Sequence, residues 1–104
     1  MAQDLTEQWR ITAKEWVDVD SAASLTEELK TPILNQKMLA LDESLAMNKR
    51  EMIVKASDEW QKYIADMVEA RTKANLLKVK LEWIKMRFAQ QQSEEATRRS
   101  EMRL

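Results

Sequence analysis

At 104 residues the chain has room for one domain, and 44% hydrophobic with 34% charged residues is the composition of a packed fold in water, not of a disordered tail or a membrane span. With no Gly, no Cys and no His, it lacks a phosphate-cradling glycine loop, a disulfide, thiolate and imidazole metal ligands, and the usual general base at neutral pH. The formal net charge of −1 hides an uneven distribution: nine acids against four bases through Glu43 leave −5, and thirteen bases against nine acids from Ser44 onward leave +4.

A chain with no Gly and one Pro has almost no residue suited to the positive φ of tight hairpins, so a multi-stranded sheet has no cheap way to turn. The expected fold class is all-α, a single helical domain over 1–104. Asp4 with Glu7 three residues on marks the first helix start, ahead of Trp9, Ala13 and Trp16 on one face, and helix 1 is expected over 5–18. Asp18 to Ser21 then reads as a connection, and Ser24 with Glu27 repeats the reciprocal cap. Helix 2 is expected over 21–46, broken or kinked at Pro32, with Leu34, Met38, Leu41 and Leu45 on one face.

Asn48 and Glu51 form a capping box, with Met47 and Met52 placed as its hydrophobic staple, and a long helix is expected over 48–99. Its seam positions at heptad spacing are Ile53, Ala56, Trp60, Tyr63, Met67, Ala70, Ala74, Leu77, Leu81, Ile84 and Phe88, eleven in succession without a charge. Ser57, followed by Asp58 and Glu59, offers an alternative start that would break this helix. Past Phe88 the seam decays. The segment 90–104 is helix-prone, with Glu94/Arg98 and Glu95/Arg99 at i,i+4, but almost devoid of apolar residues, and 100–104 reads as a frayed tail.

Val68, Leu76, Val79, Trp83 and Met86 make a second apolar stripe opposite the seam, and a helix apolar on two faces is one that is buried on two faces. The N-terminal helices can cover one face, which makes the second a candidate oligomer interface. The alternative is a monomer in which two N-terminal segments straddle the long helix. Flanking the seam are Arg71, Lys73, Lys78, Lys80, Lys85 and Arg87, with Glu82 the one acid among them. Self-pairing along this seam would set base against base, so it should close on the acidic N-terminal half instead. These six bases are therefore either internal partners of Glu15, Asp18, Glu27, Glu28 and their neighbours, or candidate nucleic-acid contacts that track a phosphate backbone.

Of the four tryptophans, Trp9, Trp16 and Trp60 occupy core-facing positions, while Trp83 stands on the second stripe among bases. An enzyme reading reduces to carboxylate-held Mg²⁺ at Glu15, Asp18, Glu27 and Glu28, but Thr31 and Pro32 stand where further acids would be needed. No catalytic residue, metal or cofactor is assigned. Met1 to Arg10 carries Asp4 and Glu7 and no apolar run, and nothing approaches eighteen consecutive apolar residues, so no signal peptide or membrane span is expected and a cytoplasmic location is.

The segment NLLKVKLEWIKMRFAQQQSEEATRRSEMRL, Asn75 to Leu104, resembles the C-terminal portion of small helical proteins encoded in temperate-phage and prophage early regions, beside recombination and DNA-processing genes. The resemblance rests on an Arg-rich helix followed by Ser-Glu-Glu-Ala-Thr-Arg-Arg. It implies phage DNA metabolism or counter-defence in a host cytoplasm, and it carries no site residue. The functional expectation is a non-catalytic, homo-oligomeric helical protein accessory to a nucleic-acid transaction, with DNA or RNA backbone or an acidic protein as partner and no small-molecule substrate. A protein-directed inhibitor or adaptor that never touches nucleic acid is the alternative.

Overall fold

A computed structural model describes residues 4–103 as four α-helices: α1 (Leu5–Glu28), α2 (Lys30–Leu39), α3 (Met47–Ala56) and α4 (Asp58–Met102). The chain folds as an elongated hairpin, 86 × 20 × 18 Å, in which α1 runs antiparallel along α4 while α2 and α3 close one end. No helix among the described residues is long and apolar enough to cross a membrane.

Helix α1 starts where the sequence marks it, with the Asp4 carboxylate accepting from the Thr6 N–H at 3.2 Å and Glu7 held to Arg10 at 2.5 Å. It does not stop at Asp18. The polar run Asp18 to Ser21 contains no Gly or Pro to end a helix, and its Val19 and Asp20 are half-buried on the side that α4 covers. Packing of Thr12 and Ala23 against α4 carries α1 ten residues past the expected end. The break comes instead at Leu29, three residues before Pro32. Proline has no N–H for the Glu28 carbonyl four residues back, while the flanking bonds Leu29 N–H to Leu25 and Ile33 N–H to Leu29 survive at 3.0 and 2.9 Å.

Helix α2 ends at Leu39, not at 46 as expected, and Leu41 and Leu45 are half-buried in a turn. Asp42 builds that turn by accepting from the Ser44 N–H at 3.0 Å, a bond that also holds its carboxyl below the ordinary value. The Asn48/Glu51 capping box does not form either. The Asn48 side chain accepts only from the adjacent Lys49 N–H, Glu51 pairs with Lys55 at 2.7 Å, and Met47 and Met52 are exposed rather than stapled. Buried Arg50 fixes the start of α3 instead, its Nε donating to the Leu45 carbonyl at 3.0 Å.

The long helix breaks at Ser57, whose extended backbone (φ −72°, ψ 147°) ends α3 while its Oγ accepts from the Trp60 N–H at 3.2 Å and donates to the Val54 carbonyl at 2.6 Å. This break seats Trp60 against Met38 and Val54, with Ile33, Leu34, Leu41, Tyr63 and Ile64 around them. Trp60 and Tyr63 stack with ring centroids 5.5 Å apart, and the Tyr63 hydroxyl donates to the Thr26 carbonyl, locking the closed end to α1. Helix α4 persists through Met102, so 100–102 is helical and not frayed; Leu104 lies outside the described residues.

Candidate interaction surfaces of the long helix

The inner face of α4 is the heptad seam from Trp60 onward. Trp60, Ala74, Leu81 and Ile84 are buried and Tyr63, Met67, Ala70 and Leu77 half-buried. Ile53 and Ala56, the first two expected seam positions, precede the Ser57 break and are exposed. Because α1 supplies the covering row, the N-terminal half does not straddle α4. The second stripe stays open: Val68, Leu76, Val79, Trp83 and Met86 are 54–67% exposed. Burying a large apolar side chain gains roughly 1.5–3 kcal/mol, so five left in water on one helix face are a substantial unused driving force.

The six flanking bases divide sharply. Arg71 lies across α1 in a cradle of Asp20 (2.6 Å), Ser24 (3.1 Å) and both oxygens of Glu27 (2.7 and 2.9 Å). The two carboxylates raise the Arg71 pKa further, and hydrogen bonding to the guanidinium holds Glu27 below the ordinary carboxylate value. Arg71 thus clamps α4 to α1, and Ser24 and Glu27 serve it instead of capping a second helix. Lys73 reaches Glu69 loosely, at 3.6 Å. Among the described residues Lys78, Lys80 and Lys85 have no carboxylate within 4.0 Å, and Arg87 donates to Gln90 at 3.1 Å without an ion pair. Of the acids expected to neutralise this helix, Glu27 does so, with Asp20 beside it; Glu15, Asp18 and Glu28 make no ion pair among the described residues.

The tryptophans follow suit. Trp60 is 3% exposed and Trp16 half-buried, whereas Trp83 is 54% exposed, with Lys80 and Arg87 at i−3 and i+4. Trp9 is 41% exposed because it borders a groove of about 320 Å³ at the open end of the hairpin, lined by Leu5, Thr6, Trp9, Ile84, Lys85 and Phe88. From Lys85 onward every described residue of α4 is exposed, so its last turns stand clear of α1. Among the described residues no group of three or more acids is placed to hold a metal.

The Arg71–Glu27 pair is one of the internal pairings the sequence offered, but sequence reasoning missed Asp20 and Ser24, which complete the cradle around Arg71. Its signal was present, since Asp20, Ser24 and Glu27 at i, i+4 and i+7 share one helix face. No family model matches the chain, and neither a curated protein nor a solved structure matches it.

Proposed function

We propose that this protein is a non-catalytic helical interaction protein that self-associates through the outer face of α4 and offers unpaired bases to a nucleic-acid backbone, as an accessory factor to a nucleic-acid transaction. The observation that carries the reading is the coincidence on one helix of an exposed apolar stripe, Val68 to Met86, with Lys78, Lys80, Lys85 and Arg87 free of carboxylate partners among the described residues. Ammonium groups not already neutralised can release counterions from a phosphate backbone; a clamped guanidinium such as Arg71 cannot do so without losing its clamp. The resemblance of 75–104 to proteins of phage early regions supports the same reading, including a place in phage recombination or DNA processing in the host cytoplasm.

A second reading, a protein-directed adaptor or inhibitor, is favoured by the open groove between Trp9 and Phe88. Titration of bare oligonucleotides across a salt series separates the two. The nucleic-acid reading requires log K falling linearly with log salt, and a flatter slope once Lys78, Lys80, Lys85 and Arg87 are changed to Gln. No binding even at low salt selects the adaptor.

A further inference from the structure

We infer that the occupant of the outer face of α4 is a second copy of this chain, docked antiparallel about a two-fold axis at Lys78, and that the pair assembles one basic edge from both copies. The inference rests on the self-association proposed above and deepens it with a register, an orientation and a consequence for the bases.

The apolar stripe is nearly its own mirror image. Val68, Thr72, Leu76, Val79, Trp83 and Met86 recur at intervals of three and four residues about a centre beside Lys78. Turned end for end, the stripe sets Val68 beside the partner's Met86, Thr72 beside the partner's Trp83 and Leu76 beside the partner's Val79. Charge selects this orientation over the parallel one. Along one flank of the stripe, within about 40° of one another on the helix, lie Asp58, Lys62, Glu69, Lys80, Arg87, Glu94 and Arg98. In an antiparallel pair a flank faces the same flank of its partner. A two-fold axis at Lys78 then sets Asp58 against the partner's Arg98, Lys62 against the partner's Glu94 and Glu69 against the partner's Arg87, each pair equidistant from the axis and opposite in sign.

Asp58, Glu94 and Arg98 pair with no described residue, whereas the exposed Lys62–Asp66 (2.8 Å) and Lys73–Glu69 (3.6 Å) pairs and the Arg87–Gln90 hydrogen bond (3.1 Å) are exchanged for the contacts between copies. A parallel pair would bring together Glu82 and the partner's Arg87 alone. The contact would run about 60 Å along a helix about 10–12 Å wide, roughly 700 Å² a side, close to the roughly 800 Å² a partner of a standard stable interface. Because α1 covers the opposite face of α4, it does not obstruct this docking.

The other flank carries Asn75, Lys78 and Lys85, with Glu82 the acid among them. In the antiparallel pair the two copies of this flank form a single edge, with Lys78 and its copy at the centre and each Lys85 about 10 Å along. The free bases therefore separate by role: Arg87 is taken up by the partner's Glu69 and Lys80, on the same flank, lies opposite the partner's Leu76, whereas Lys78 and Lys85 of both copies remain for a phosphate chain.

The test uses the full chain, which contains no native cysteine to confuse labelling. Sedimentation equilibrium should show a dimer. Glu69→Arg and Arg87→Glu should each weaken it by roughly tenfold or more, and the two together should restore it, since the swap recreates both contacts. A spin label on a cysteine placed at Glu101 should report about 70 Å between copies, against under about 20 Å for a parallel pair. A short distance, or no rescue by the double swap, overturns the register while leaving self-association intact. A monomer at high concentration overturns both.

Discussion

The two faces of α4 are built from the same kinds of residue and meet opposite fates. The inner seam, Trp60 to Ile84, is buried under α1, and the outer stripe, Val68 to Met86, is left exposed by the described residues. Apolar content does not separate them, since the outer face carries a Trp, a Leu, a Met and two Val. The inner face differs in having a covering row with matching long-range anchors, namely Tyr63 to the Thr26 carbonyl and Arg71 to Asp20, Ser24 and Glu27. A periodic apolar stripe thus states that a face will be covered; the polar groups beside it state by what.

The sharpest way to break this comparison is to hollow out each face in turn. Ile84 is 1% exposed and Trp60 3%, so Ile84→Ala should cost about 2–5 kcal/mol and Trp60→Ala about 3–5 kcal/mol in denaturant unfolding. Leu76→Ala, at 64% exposure, should cost less than about 0.5 kcal/mol in dilute protein where the chain is monomeric. Equal losses on the two faces would mean that the outer stripe is covered within one chain.

Charging the outer face inverts the readout. Val79→Glu with Met86→Glu should convert oligomer to monomer in sedimentation while leaving far-UV circular dichroism unchanged, because neither side chain holds the hairpin together. Loss of helicity would place these residues in the fold and not in an interface.

Smaller, and directed at the anchors, is a pH effect at Glu27. Its folded pKa lies below the ordinary carboxylate value because it accepts from Arg71. Its contribution is therefore fully present above the unfolded value and lost as pH falls through the folded one. Glu27→Gln should lower the unfolding midpoint at neutral pH and flatten the fall in stability across the acid range, whereas the same change at exposed Glu28, which pairs with no described residue, should leave the neutral-pH midpoint in place.

These anchors also mark what could be read from the sequence and what could not. The all-α class, the start at Asp4, the seam from Trp60 and the second stripe all follow from period and composition, because a charge-free heptad run on so charged a chain is a local signal. The boundaries failed where the deciding contact is distant. Asp18 to Ser21 looked like a connection because the clamp that holds Asp20 in helix comes from Arg71, 51 residues away. The Asn48 capping box lost to Arg50 reaching back to the Leu45 carbonyl, a bond that exists only once the 40–46 turn has formed. Short-range rules propose such starts and stops; tertiary partners choose among them. At the candidate site, the sequence could identify six bases but not divide them, since the division depends on which of them α1 can reach.

The smallest expected effect tests that division directly. Lys78 and Lys85 make no ion pair among the described residues, so changing both to Gln should leave unfolding free energy within about 0.5 kcal/mol of the parent. In oligonucleotide binding the same pair should flatten the salt dependence by about 0.7–0.9 for each phosphate contact removed, counted over both copies of a dimer. Arg71→Gln should do the reverse, lowering stability through loss of the Glu27 and Asp20 contacts while leaving the slope in place for whatever remains folded. Arg87→Gln adds a third case, because its guanidinium belongs to the partner's Glu69 in the antiparallel pair: it should weaken the dimer, and binding should recover at protein concentrations that restore dimerisation. If Arg87→Gln instead flattens the slope as much as Lys78→Gln, Arg87 contacts phosphate itself, and the two flanks of the outer stripe are not divided between self-pairing and an anionic partner.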